Sequence, residues 1–461
     1  MRHLLRSLII SFAVIAIASP SFARDDREDK RWDRDKKEQH HGQQFQPGEL
    51  IWEDEFGERS GDVINDVAVN GNRVFAVGSV QLSGDRCIFA VRSYRADNGV
   101  VLWEDLTPPC SSPGESETGA TSVVVSGSRV FVGGEINGQF TVRAYRQTDG
   151  QLLWEDRDDR SGEVRGLAIQ GKLLVAAGII WNFETTGADF AVRAYNKNNG
   201  NVIWSDEYDP GGNVADVAES LTIRRGRVVV VGWGQAIPGN SDFLVRTYRT
   251  VNGQLLWSDQ FDGAASGGDE AKDVTAVDGL VFAVGSTGNA GQFGDLDFLV
   301  RAYNIRNGQL MWSDKFAGVA GEHDSANVVA TLGGRVFVGG ETTQTDSQNW
   351  LVRAYDARHG HLLWEDMRGV AGVLPFPFVG DITAIGNRVF AVGRLVSDTG
   401  NIFTAVSYNA KNGREVWQSH GTGIHIPTDN AANAVAVQGG RVFVGGSGGP
   451  EQDFLLQAYK K

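Results

Sequence analysis

From Gly48 onward, short apolar runs separated by polar and glycine-rich turns recur along the chain, and they fall into four kinds. The first alternates loosely, as in Val63 to Val69. The second, of the Arg-Val-Phe-Val-Gly-Gly type, ends at Gly78, Gly134, Gly178, Gly232, Gly285, Gly340, Gly393 and Gly446. The third closes on Tyr94, Tyr145, Tyr195, Tyr248, Tyr303, Tyr355, Tyr408 and Tyr459, and the fourth carries Trp52, Trp103, Trp154, Trp204, Trp257, Trp312, Trp364 and Trp417. Runs this short, bounded by turn residues, predict β-strands. The second kind is apolar at consecutive positions, which predicts a strand covered on both faces.

The tryptophans are spaced by 51, 51, 50, 53, 55, 52 and 53 residues, and the three blocks agree on eight copies. A period of about 50 residues with four strands per copy predicts an all-β, eight-bladed β-propeller with four antiparallel strands per blade. We label the strands A to D in chain order. The chain opens on a D strand, Glu49 to Phe56, and closes on A, B and C from Asn433 to Lys461. The N-terminal strand is therefore expected to complete the last blade and close the ring, with the eight tryptophans as structural docking residues.

The C-to-D hairpins turn at pairs such as Asn98-Gly99, Asp149-Gly150 and Asn252-Gly253, where glycine supplies the positive φ of a tight turn. A two-residue turn places Arg92 opposite Asp105, Arg143 opposite Asp156, Arg193 opposite Asp206, Arg246 opposite Asp259, Arg301 opposite Asp314 and Arg353 opposite Asp366. A one-residue bulge would shift each pairing diagonally. The seventh copy has Val406 and Ser419 instead, so an Arg–Asp pair within each hairpin is expected. Six arginines forming an anion site is the alternative. Cys87 and Cys110 lie symmetrically about the first such turn and are expected to form a disulfide in an oxidising compartment.

At Ala354-Tyr-Asp356-Ala-Arg-His-Gly360-His-Leu-Leu-Trp364 the chain resembles the tryptophan-docking repeat of the pyrroloquinoline quinone (PQQ) propellers, Ala-x-Asp-x-x-x-Gly-x-x-x-Trp, and the Gly and Trp spacing is met seven times. The resemblance covers Gly48 to Lys461 and implies the eight-bladed PQQ-like architecture. Quinone-dependent dehydrogenases of this family hold the cofactor beneath two adjacent cysteines and near a calcium bound by acidic and amide side chains. Here the cysteines are far apart, so the resemblance implies the non-enzymatic branch, which includes outer-membrane assembly propellers. The known assembly factor is a lipoprotein, and this chain has no Cys near the start to carry a lipid.

Arg2, Arg6, the apolar run Leu8 to Ala18 and Ser21-Phe22-Ala23 predict a secretory signal peptide over 1–23, too short in its apolar core to span a membrane. Residues 24–47 mix acids and bases with few apolar side chains and predict a disordered charged linker; residues 48–461 form the propeller. The net charge is −14, and two units more acidic once Arg2 and Arg6 leave with the leader. That balance argues against nucleic acid or an anionic membrane as partner.

Variable D-to-A and B-to-C loops share one face of the predicted propeller, where binding variation is expected. Trp181 and Phe183 fall in the third B-to-C loop, Trp233 in the fourth, and Phe376 and Phe378 before the seventh A strand. These aromatics are candidates for partner binding, with lids over the central channel as the alternative. His323-Asp324 and the group His420, His425 and Asp429 are weak metal candidates, and no metal, catalytic residue or cofactor is expected. Gly445-Gly446-Ser447-Gly448-Gly449 matches a nucleophile elbow formally but runs into Pro450 without a helix. The sequence thus reads as a periplasmic or secreted monomer, a binding or scaffold module for protein, peptide or glycan. A quinone-dependent alcohol or sugar dehydrogenase using PQQ and calcium is the alternative.

Overall fold

The computed structural model describes residues 46–461 except 58–60, 83–85, 108–118, 183–186, 212–213, 238, 264–266, 289–294, 320–321, 346, 370–376, 398–399, 421–429 and 450–452. Phe45–Lys461 forms one compact unit. The described residues hold 31 strands and no helix, so no helix is long and apolar enough to cross a membrane.

All seven sheets are antiparallel in their pairing. Five are four-stranded with spatial order equal to chain order, as in Val63–Asn70, Arg73–Leu82, Arg86–Arg95 and Val101–Leu106. One has seven strands, because the long strand Leu152–Gln170 is both the D strand of the second copy and the A strand of the third. In the remaining sheet Leu50–Phe56 lies beside Asp453–Lys460, with Trp52 opposite Ala458 and Glu53 opposite Gln457. The first and last stretches of the unit therefore share one sheet. B and C strands are almost wholly buried, as their unbroken apolar runs require, and the core consists of clusters between adjacent sheets.

Each D-strand tryptophan docks on the next copy. The indole N–H of Trp52 donates to Ala96 O at 3.1 Å, Trp103 to Gln147 O at 3.0 Å, Trp204 to Thr250 O at 2.9 Å and Trp257 to Ile305 O at 3.0 Å. Its ring lies on the glycine of that copy's hairpin turn: a Cβ on Gly253, at φ +69°, would stand 2.7 Å from the Trp204 ring. The turn glycine thus answers two demands, a left-handed backbone and a flat seat for the neighbouring indole. Each ring also meets a tyrosine of that next copy, as Trp204 meets Tyr248 at 5.8 Å between centroids. At the junction of the chain's two end segments, Trp417 sits on Gly48 while its buried Nε1 has no hydrogen-bond partner.

The Arg–Asp expectation is corrected in its partner. A one-residue bulge precedes the tryptophan in every D strand, as at Leu102, so Arg92 faces Glu104 and not Asp105. The Asp points across to the following copy: Arg92 pairs with Asp54 at 2.9 Å, Arg143 with Asp105 at 3.3 Å, Arg246 with Asp206 at 3.3 Å and Arg353 with Asp314 at 2.9 Å. The same carboxylate accepts the hydroxyl of the buried tyrosine, as Asp259 does from Tyr303 at 2.7 Å and Asp314 from Tyr355 at 2.8 Å. Arg246 and Arg301 also lie over Tyr208 and Phe261 at 3.8 and 4.0 Å, which favours the cation on aromatic faces. These pairings leave no set of six free arginines to gather an anion.

The two departures now make sense. Asp366 would face Val406, and Arg368, two residues along its own strand, binds Asp366 at 2.5 Å while Tyr408 donates to it at 2.8 Å. Ser419 faces a copy with Gln457 in place of Arg, and Tyr459 donates to Gln457. A lost charge is replaced locally or lost together with its partner across the interface, because a lone buried ion is costly.

Gly253→Ala is predicted to lower the apparent denaturation midpoint more than Gly171→Ala does. Both glycines have φ above +60°, but a Cβ on Gly171 meets nothing within 4 Å. The left-handed backbone costs roughly 1 kcal/mol in each, and displacing Trp204 adds about 1–3 kcal/mol only to the first. Equal shifts would contradict the docking role.

Candidate functional site

A cavity of about 370 Å³ draws its walls from the A strands of all eight sequence copies. Each A strand carries a one-residue bulge at the same place, namely Asn65, Thr121, Arg165, Glu219, Lys272, Asn327, Gly380 and Asn433. All eight bulge residues line the cavity. The lining is polar and self-paired: Arg165 bonds Glu219 at 2.6 Å, and Lys272 donates to Ser325 Oγ at 2.8 Å and Asn327 Oδ1 at 3.2 Å.

Beside the bulges stand three carboxyls, Asp66, Asp273 and Asp381. Each binds the N–H of its own next residue and the N–H of the next copy's A strand: Val67 and Val123 for Asp66, Val274 and Val329 for Asp273, Ile382 and Val435 for Asp381. Burial pushes Asp66 and Asp273 up to about 6 and Asp381 up to about 7, against the lowering effect of those N–H groups. For Asp381 the charges of Asp66 and Asp273 add to the rise. These carboxyls tie adjacent A strands together. They were overlooked in the sequence as isolated acids, although each stands 12 residues before the glycine that ends its B run.

The sequence-selected aromatics take different positions. Trp181 and Trp233 lie inside strands, Leu173–Asn182 and Arg227–Ile237, rather than in loops. They share one apolar cluster with Ile179, Ala188 and Val217, where Trp233 is 8% exposed and donates to Glu219 Oε1 at 3.2 Å. Trp181 is half-buried, and Phe378 lies across from Arg394, whose guanidinium is 4.9 Å from its ring. Phe183, Phe376, Cys110, His425 and Asp429 lie outside the described residues; Cys87 and His420 are described by backbone only. His323 approaches Glu341 at 3.4 Å, and Asp324 accepts the N–H groups of Gly318 and Thr343, so both serve the loop's own structure.

Among the described lining residues, Asp66, Asp273 and Asp381 accept backbone N–H groups, and Arg165 and Lys272 bond protein partners.

Antiparallel four-stranded sheets stacked by tryptophan docking define a β-propeller of the PQQ-like repeat class. The chain belongs to the family described as outer membrane protein assembly factor BamB, whose model matches residues 37–176, 90–298 and 296–450. It is 26% identical over 287 residues to outer membrane protein assembly factor BamB of Yersinia pestis, a match covering 60% of this chain and 63% of that protein. The chain thus spans just under two thirds of that relative. The crystal structure of BamB from Moraxella catarrhalis matches with a TM-score of 0.50 at 14% identity, over 90% of this chain and 97% of that one. Quinohemoprotein alcohol dehydrogenase from Comamonas testosteroni matches with a TM-score of 0.59 at 12% identity, over 89% of this chain and 76% of that one. At such identities both likenesses concern the fold.

The raised carboxyls predict a pH dependence. A carboxyl with a folded pKa above its unfolded value stabilises the fold fully below about pH 4. That contribution is lost as pH rises through about 6 to 7. Asp381→Asn removes one such contribution, so its midpoint, measured relative to the parent, should improve steadily from pH 5 to pH 8. A pH-independent difference, or one that worsens, would contradict the assignment.

Proposed function

We propose that this chain is an exported, monomeric, eight-bladed propeller that acts as a protein-binding module of the cell envelope and serves outer membrane protein assembly. The eightfold reading draws support from the lining of the central cavity by every A strand and from the pairing of Leu50–Phe56 with Asp453–Lys460. The signal peptide over 1–23, the linker over 24–47 and the Cys87–Cys110 disulfide complete the proposal.

The observation that carries it is on the outer rim. Each D strand is the last strand of its four-stranded group, and most carry exposed apolar residues just before the docked tryptophan. Val202 and Ile203 are 46% and 47% exposed, Leu310 and Met311 are 43% and 46%, and Leu362 and Leu363 are both 44%. An unpaired strand edge with apolar side chains beside it is suited to adding an extended segment of another protein as a further strand. Trp181, with Trp233 behind it, would contribute a second contact on the loop face together with Phe183, Phe376 and Phe378, the last of which opens the strand Phe378–Ile385 rather than lying in a loop.

The test dilutes a urea-unfolded outer membrane β-barrel protein into buffer with the purified chain and follows its aggregation. The parent should suppress aggregation, and the quadruple variant Val202→Ser/Ile203→Ser/Leu362→Ser/Leu363→Ser should need at least about fivefold more protein for the same effect, since each lost apolar contact is worth about 1 kcal/mol. An unaffected variant would remove the rim from the proposal. Stoichiometric binding of PQQ with Ca²⁺ and dye-linked oxidation of an alcohol or sugar would overturn the non-enzymatic reading.

A further inference from the structure

We infer that the loop face carries a site for a hard divalent cation, Ca²⁺ by its chemistry, held by Asp242, Asp262 and Asp269 where the fourth copy meets the fifth. Asp242 lies in the C strand Asn240–Arg249, Asp262 just past the D strand Leu255–Phe261, and Asp269 immediately before the A strand Glu270–Val277. One carboxylate oxygen of each lies within 4.8 Å of the other two. Asp242 and Asp269 are buried and Asp262 is exposed, so the cluster opens to water on one side.

Two observations raise this above a chance gathering of acids. First, Asp242 is 8% exposed; its Oδ2 accepts Gln260 Nε2 at 2.5 Å, but its Oδ1 is buried without any hydrogen-bond donor. A carboxylate oxygen removed from water with no donor is costly unless a cation meets it. Asp269 is held rigidly for the task by the N–H groups of Gly263 at 2.7 Å and Gly288 at 3.1 Å.

Second, the chain contains its own comparison. The same spacing occurs one copy earlier as Asp189, Asp209 and Asp216, where Asp216 is fully buried, accepts Gln235 N–H at 2.7 Å and leaves Oδ2 without a donor. One copy later, Asp297 and Asp324 keep the outer positions, but the middle one is Ala317, and there Lys315 reaches Asp297 at 2.5 Å. Where the middle acid is missing a lysine ammonium supplies the positive charge. Where the three acids gather, the residue three past the tryptophan is the uncharged Gln260, and a metal ion would take the ammonium's place. An all-oxygen donor set with room for water suits Ca²⁺ rather than zinc or copper.

The experiment is calcium titration of the intact chain after EDTA treatment, followed by calorimetry and by the apparent melting midpoint. The parent should bind Ca²⁺ saturably with Kd on the order of 10⁻⁴ M or tighter and melt higher, with a smaller response to Mg²⁺. Asp262→Asn should weaken this site at least about tenfold, since carboxylate count tunes such sites. Because Asp262 is exposed, the variant's midpoint in EDTA should match the parent's, which separates lost binding from lost folding. No saturable Ca²⁺ response at millimolar concentration, or one undiminished in Asp262→Asn, would overturn the assignment.

Discussion

Everything in this molecule depends on the fact that a D strand is completed by the copy that follows it. Its tryptophan needs the next copy's turn glycine as a seat, its aspartate needs the next copy's arginine and tyrosine hydroxyl, and the A-strand carboxyls reach for the next copy's backbone in the same direction. Each of these groups takes a partner from the next copy. A four-stranded sheet with buried B and C strands has two apolar faces to cover, and this head-to-tail dependence sets which neighbour covers them. It also explains why the joining of the two ends of the unit matters, since Leu50–Phe56 brings Asp54 to Arg92 and Trp52 to Ala96.

Much of this was legible in the sequence because repetition multiplies a weak local signal. One apolar run could be a strand or a buried helix segment; eight in register with tryptophan and tyrosine could not. The turn glycines were legible for their backbone but not as seats for an indole, because the indole comes from about 50 residues earlier. The arginine's partner was misplaced for the same reason. Nearness across a hairpin suggests Asp105 for Arg92, whereas a single bulged residue turns Asp105 toward Arg143. Val406 and Ser419 read as a joint loss within one hairpin, whereas across copies Ser419 matches Gln457 and Val406 faces a retained Asp366 that Arg368 meets.

The candidate sites were less legible. Aromatic residues in apparent loops suggested exposed contacts, but longer strands absorb Trp181 and Trp233, and the latter is anchored through Glu219. The cavity carboxyls and the Asp242 cluster carry signals in sequence only when copies are aligned position by position. There the cavity acids stand out as ones that neighbouring copies replace with serine, valine or alanine, and Asp262 as one that the next copy replaces with Ala317. A framework in which so many interior polar groups join one copy to the next leaves the rim and the loop face as the surfaces free to vary.

The most direct test of the head-to-tail lock is a pair of double-mutant cycles sharing Arg353. The Arg353→Gln and Asp314→Asn pair, from neighbouring copies, should show a coupling free energy of about 1–3 kcal/mol in unfolding, whereas Arg353→Gln with Asp366→Asn, from one hairpin, should be additive within about 0.5 kcal/mol. Coupling confined to the hairpin pair would contradict the account.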